Sequence, residues 1–140
     1  MRITIAAIII LATTFIHASA MFHVISQLKN TGTGKIRQYL RRHPHSKVSL
    51  VIIVMFIASV AEATIWAFAY LALGAIESVE EAGYFSMVTY TTLGYGDVTL
   101  SAEWRLLSAF ESANGIIMFG WTTAIVLAVV NHVYFGKNLN

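Results

Sequence analysis

Cysteine is absent from this 140-residue chain. That excludes disulfide scaffolds, thiol nucleophiles and Cys-based zinc sites. Charge is scarce as well: Asp, Glu, Lys and Arg make up 11% of the residues, under half of the roughly 25% usual in a soluble domain. Proline occurs once, at Pro44, and no internal repeat or low-complexity tract is visible. What remains is 57% hydrophobic, with a mean hydropathy of +0.69. A single domain of this composition has too little polar surface to coat a water-soluble globule, so a cytosolic enzyme is excluded before any motif is read.

The apolar residues fall into three runs, Ile3–Leu28, Val48–Ile76 and Leu106–Phe135. Each exceeds the roughly 20 residues with which a helix crosses a ~30 Å hydrocarbon layer. The charges sort between them. Lys29, Lys35, Arg37, Arg41, Arg42 and Lys47 form a basic stretch free of carboxylates, whereas Glu77, Glu80, Glu81, Asp97 and Glu103 form an acidic one free of Lys and Arg. The positive-inside rule places the basic 29–47 linker in the cytoplasm of a cell membrane protein, with the N-terminus and the 77–103 stretch outside and the C-terminus inside. A competing reading takes Arg2, the first apolar run and Ala18-Ser19-Ala20 as a cleaved secretory signal. It requires export of the basic linker and inverts both later helices, and the apolar run continues through Val24-Ile25. Within the linker, Ile36, Tyr39 and Leu40 share a face at helical spacing; either a headgroup-lying helix or a solvated loop satisfies that pattern.

The segment from Glu77 to Ala102 is too apolar in its middle for an ordinary loop. The spacing predicts a short helix over 81–91, with carboxylates at its N-terminal end where the dipole favours them. Next comes Thr91-Thr92-Leu93-Gly94-Tyr95-Gly96-Asp97, a poor helix and a poor strand. Its glycines permit an alternation of left- and right-handed residues that turns successive carbonyls to one side. Such carbonyls replace the water shell of a dehydrated alkali cation, and the Thr92 hydroxyl adds another oxygen. One chain supplies one oxygen per level, so a cage needs several chains about an axis.

Thr92-Leu93-Gly94-Tyr95-Gly96-Asp97, after a short helix and between two spanning runs, resembles the filter of the potassium channel pore-domain family, in particular the small prokaryotic channels with two helices and a pore loop. Leu93 stands where the filter commonly has Val. The resemblance covers Val48 to Phe135 and implies an all-α membrane protein, a homotetramer with outer helix 48–76, filter 92–97 and inner helix 105–135. It further implies K+ bound by Thr92, Leu93, Gly94, Tyr95 and Gly96, support from Thr91, Asp97 and an aromatic cuff at Tyr84-Phe85, and an interfacial Trp104. Gly115 matches a gating hinge, and Ile116, Phe119, Thr123 and Leu127 match the lining of an inner cavity. Where some members carry a Glu that shares a proton with the Asp after the filter, this chain has Val88. That pair cannot form, and Asp97 is expected to accept a hydrogen bond from Tyr84 instead. The first run has no counterpart in the minimal pore and lacks the spaced Arg and Lys of a voltage sensor. The short tail 136–140 leads to the expectation of no cytoplasmic gating domain, with regulation left to lipid, pH or another protein.

Two carboxylates sit within the runs and need partners. Glu62 lies at the depth of His17 and Thr14, so it either docks the first helix through His17 or sits neutral in a helix contact of its own. Glu111 shares a face with Asn114 and lies at a depth suited to Ser86 or Thr89, either as filter support or as a plain structural contact. His23, His43, His45 and His132 read as interfacial residues, since their spacing makes no metal cluster. The reading is thus a passive K+ channel without cofactor, enzymatic activity or nucleic-acid partner, contacting lipid and its own copies. A non-selective cation channel of the same fold and a non-conducting membrane assembly subunit are the alternatives; an active transporter fits less well.

Overall fold

The computed structural model describes residues 1–29 and 44–135; the Ile36–Leu40 stretch, read as either a headgroup-lying helix or a solvated loop, and His43 lie outside the described residues. Every regular element among the described residues is helical: α1 (Arg2–Lys29), α2 (Pro44–Ala72), the short α3 (Val79–Tyr90) and α4 (Arg105–Val130), which passes into a π-helical turn, Asn131–Phe135. Three helices are long and apolar enough to cross a membrane, over Arg2–Ser26, His45–Ala72 and Arg105–Phe135. Pro44 opens α2, where its fixed φ suits the first helical turn.

The second apolar run extends to Ile76, yet α2 stops at Ala72. Gly74 has a φ of +65°, and its N–H and that of Ala75 bond back to Leu71 and Tyr70, which terminates the helix in the usual glycine-dependent way. At the start of α3, Ser78 is extended and its hydroxyl accepts the Glu81 N–H at 3.4 Å, with Glu80 and Glu81 in the first turn. Cap and dipole together start this helix two residues before the predicted boundary.

α1 and α4 run parallel, and α2 runs against both. At one end Val24, Val51, Met55, Ile125 and Val129 form a buried cluster, and Tyr134 lies 2.5 Å from His45. At the other end Arg2 reaches Glu103 at 3.4 Å and lies over the Trp104 ring. There α3 packs in among Ala6, Ala63, Trp66, Tyr70, Leu107 and Met118. It therefore occupies one half of the bundle. The opposite stripe of α1, with Ile3, Ile8, Leu11, Phe15 and Phe22, is exposed, as suits a face turned to acyl chains.

Acyl chains give helices no hydrophobic reason to associate, so close packing and polar pairs hold such a bundle together. Thr13 and His17, on the buried stripe of α1, make two of these pairs: the Asn114 side-chain amide donates to Thr13 Oγ1 at 2.9 Å, and His17 Nδ1 lies 2.9 Å from Glu62 Oε1. Thr13 is fully buried, and its neighbour Thr14 is not.

Glu111 makes a third buried site. Tyr70 donates to its Oε2 at 2.5 Å, while Ser86 Oγ lies 2.5 Å from both Glu111 Oε1 and the Ala63 carbonyl. A hydroxyl has one hydrogen, and a carbonyl has none to give. Ser86 thus donates to Ala63, and the Glu111 contact takes its hydrogen from the carboxyl. Glu111→Gln preserves that donor and that acceptor, so its effect on thermal unfolding corresponds to under about 1 kcal/mol. Glu111→Ala strands Tyr70 and Ser86 and costs about 2–4 kcal/mol. A glutamine variant as unstable as the alanine one would contradict this hydrogen count.

Candidate functional site

α3 ends by placing Thr91–Asp97 at the open side of the bundle, where every one of these residues is exposed in the single chain. The chain turns back at once. Thr92 N–H bonds to the Thr89 carbonyl at 2.9 Å, and the Leu93 and Gly94 N–H groups converge on the Val88 carbonyl at 2.9 and 3.3 Å. The last turn of α3 therefore collects the amides of the segment. No described residue donates to the carbonyls of Thr91 to Gly96.

The backbone alternates. Thr92, Gly94 and Gly96 have φ of +60°, +55° and +78°, while Leu93 and Tyr95 have negative φ. Two of the three left-handed positions are glycines, which tolerate them freely. Thr92 is β-branched, and its left-handed φ carries local strain that only a fixed surrounding sustains. Such an alternation turns a run of carbonyls to one side, and here those carbonyls are the ones left without partners.

Asp97 closes the segment. Its Oδ2 accepts the Tyr84 hydroxyl at 2.6 Å and its Oδ1 accepts the Val98 N–H at 3.1 Å, so the Thr91–Asp97 segment is tied to α3 at both ends. The Tyr84 bond holds the Asp97 carboxyl below the usual carboxylate range and pushes the Tyr84 hydroxyl up. A carboxylate with a lowered folded-state value contributes its contact above the ordinary range and loses it as pH falls. The Tyr84 tie is accordingly intact at neutral pH and released in acid. Tyr84→Phe raises the pH at which Asp97 protonates, which carboxylate NMR reads directly; an unchanged titration would show that Tyr84 is not the cause.

The remaining predicted residues fall in three places. Phe85 is buried and meets Tyr70 edge-on, centroids 5.2 Å apart, so it packs against α2 and not onto Tyr95 of the same chain. Ile116, Phe119, Thr123 and Leu127 lie along one uncovered stripe of α4. Gly115 is buried with its Cα against Tyr90: a Cβ there would lie 1.9 Å from the Tyr90 carbonyl oxygen. Its glycine is required by this close approach, whatever bending it also permits.

Three contacts had no signal in the sequence pattern. Tyr90 donates to Glu62 Oε2, Tyr70 to Glu111, and Thr122 Oγ1 lies 3.2 Å from His17 Nε2. The partners are separated by 28, 41 and 105 positions; only the demand of each buried carboxylate for donors pointed their way. Among the described residues no group of three His, Asp or Glu is disposed to hold a metal ion, and His23, His45 and His132 are exposed.

Three helices long and apolar enough to cross a membrane, with a short helix and an irregular, exposed loop in one half of the bundle, define a multi-pass membrane protein. The comparison with protein families agrees: a family described as "Ion channel" matches residues 50–132, more than half of the chain. The chain belongs to this ion-channel family. The match takes in α2, α3, the loop and α4, and leaves α1 outside. No curated protein and no solved structure matches the chain.

Proposed function

We propose that this ion channel is potassium-selective and passive, and that four copies surround a central axis with Thr91–Asp97 as the filter. The observation that carries the reading is the alternation of φ at Thr92, Gly94 and Gly96 together with the unpartnered carbonyls from Thr91 to Gly96. Dehydrated K+ requires rings of such oxygens, strong enough to replace water and weak enough to release the ion. A single chain offers one oxygen per level and closes no ring. Tyr95 is 67% and Leu93 56% exposed, and irregular backbone at membrane depth is tolerated only where protein or water surrounds it. Neighbouring copies satisfy that need, and a groove of about 320 Å³ beside Phe85, Thr92, Gly94 and Leu100 offers them a packing surface.

In this assembly the α4 stripe of Ile116, Phe119, Thr123 and Leu127 lines the cavity below the filter, and the C-terminal end of α3 turns its negative dipole towards the axis. The basic 29–47 linker puts that cavity on the cytoplasmic side of the cell membrane and the filter outside. The permeant ion is the only ligand required. Reconstituted in liposomes, the purified protein is expected to take up K+ at least about tenfold faster than Na+, a discrimination of ~1.4 kcal/mol, and to cross-link to a limit of four. Equal uptake of both ions would favour a non-selective channel of the same fold; no uptake by an intact tetramer would favour an assembly subunit.

A further inference from the structure

We propose that α1, the helix outside the family match, positions the filter through a buried relay from His17 to Glu62 to Tyr90. The proposal rests on the reading of Thr91–Asp97 as the filter. Tyr90 is the last residue of α3 and lies two positions before Thr92. It is fixed from three directions. Its hydroxyl donates to Glu62 Oε2 on α2, its ring meets Phe119 of α4 edge-on at 5.7 Å, and its carbonyl lies against Gly115. The other oxygen of Glu62 is 2.9 Å from His17 Nδ1 on α1, and His17 Nε2 is 3.2 Å from Thr122 Oγ1 on α4. His17 and Glu62 are fully buried.

The donors and acceptors run in one sense. In the tautomer with hydrogen on Nδ1, His17 donates to Glu62 and its Nε2 accepts from Thr122, while Glu62 takes a second hydrogen from Tyr90. Each imidazole nitrogen and each carboxylate oxygen is used once. A carboxylate at this depth has no water to fall back on, so its orientation depends on these two donors. Glu62 in turn fixes the end of α3, and that end holds the filter: the Val88 and Thr89 carbonyls accept the N–H groups of Thr92, Leu93 and Gly94. Rotation of the last α3 turn moves those acceptors. It also releases Thr92 from a strained φ of +60°, which a β-branched residue keeps only under constraint. α1 thereby supplies a tether that a pore of α2, α3 and α4 alone lacks.

Deuterium exchange at the Thr92–Gly94 amides, followed in the full-length reconstituted protein, tests the relay alongside K+/Na+ permeability. Tyr90→Phe, Glu62→Gln and His17→Ala are each expected to speed that exchange about tenfold, the effect of losing one hydrogen bond to a charged group, and to lower the permeability ratio at least about threefold. Tyr90→Phe combined with His17→Ala is expected to act no more strongly than the larger single effect, since both cut one chain of contacts. Thr13→Val removes the Asn114 contact one turn along α1 from His17 but leaves the hydrogen bonds of the relay itself in place, and is expected to leave filter exchange unchanged. Wild-type exchange in Tyr90→Phe, the mildest of the variants, would overturn the proposal. So would a Thr13→Val effect equal to that of His17→Ala. A wild-type protein without K+ preference contradicts the functional reading instead, and the exchange comparison still decides the relay.

Discussion

Replacing Gly94 with alanine is expected to lower K+ flux at least about 100-fold, the equivalent of ~2.7 kcal/mol, while Gly83→Ala leaves flux unchanged. The two sites separate conformational from steric effects. A Cβ at either glycine meets nothing within 4 Å in the single chain, but Gly94 has a φ of +55° and Gly83 is helical. An L-residue held in the left-handed region costs roughly 1–2 kcal/mol, and the proposed fourfold assembly would incur that cost in every copy. The backbone relieves it by returning to negative φ, which rotates the neighbouring peptide planes and would take their carbonyls off the proposed axis. Gly83→Ala has no such strain and gains up to about 1 kcal/mol of helix propensity. Flux by K+ uptake and tetramer content by cross-linking, measured on the same preparations, distinguish a disordered filter from a failed assembly; the prediction is lost flux in retained tetramer. Wild-type flux in Gly94→Ala would show that its left-handed conformation is not used.

Gly115→Ala is expected to do the reverse and disrupt the fold itself. The added Cβ would fall 1.9 Å from the Tyr90 carbonyl oxygen and 2.9 Å from its carbon. Both are backbone atoms, so no side chain can swing aside, and α4 must withdraw from the end of α3. Overpacking of this kind costs about 1–3 kcal/mol per site and more where backbones meet. The withdrawal also strains the Tyr90 bond to Glu62 and the edge contact with Phe119. The expected result is a lower melting temperature and reduced yield of assembled protein, with Gly120→Ala, where a Cβ meets nothing within 4 Å, close to wild type. A Gly115→Ala protein that assembles normally and differs only in opening would assign this glycine to bending alone.

The three spans were legible because lipid leaves little choice: a run of apolar residues of that length is a helix or nothing. Their exact ends were not, since hydropathy ignores chain reversal. Gly74 ended α2 inside an apolar run, although a glycine after such a run is itself a stop signal. Likewise Ser78-Val79-Glu80-Glu81 carries the serine and the glutamate of a capping box three apart, and the structure uses the serine half of it. The Thr91–Asp97 segment stood out for the opposite reason, because Gly-Tyr-Gly beside threonines fits no regular element. Its neighbourhood was partly legible. Depth placed His17 beside Glu62 and Glu111 near Ser86, and the structure joins each pair. Tyr70 and Tyr90 escaped because a hydroxyl reaching across helices follows no spacing rule. Gly115 was expected as a hinge from the family resemblance, and nothing in the sequence showed the Tyr90 backbone that crowds it.

Potassium selectivity is the central claim, and a bi-ionic reversal potential tests it most directly. With K+ on one side of a bilayer and Na+ on the other, reconstituted wild-type protein is expected to reverse at least about 59 mV from zero in the direction of K+ preference, the value of a tenfold permeability ratio for a monovalent ion. A reversal potential at zero, from currents the protein demonstrably carries, would contradict it.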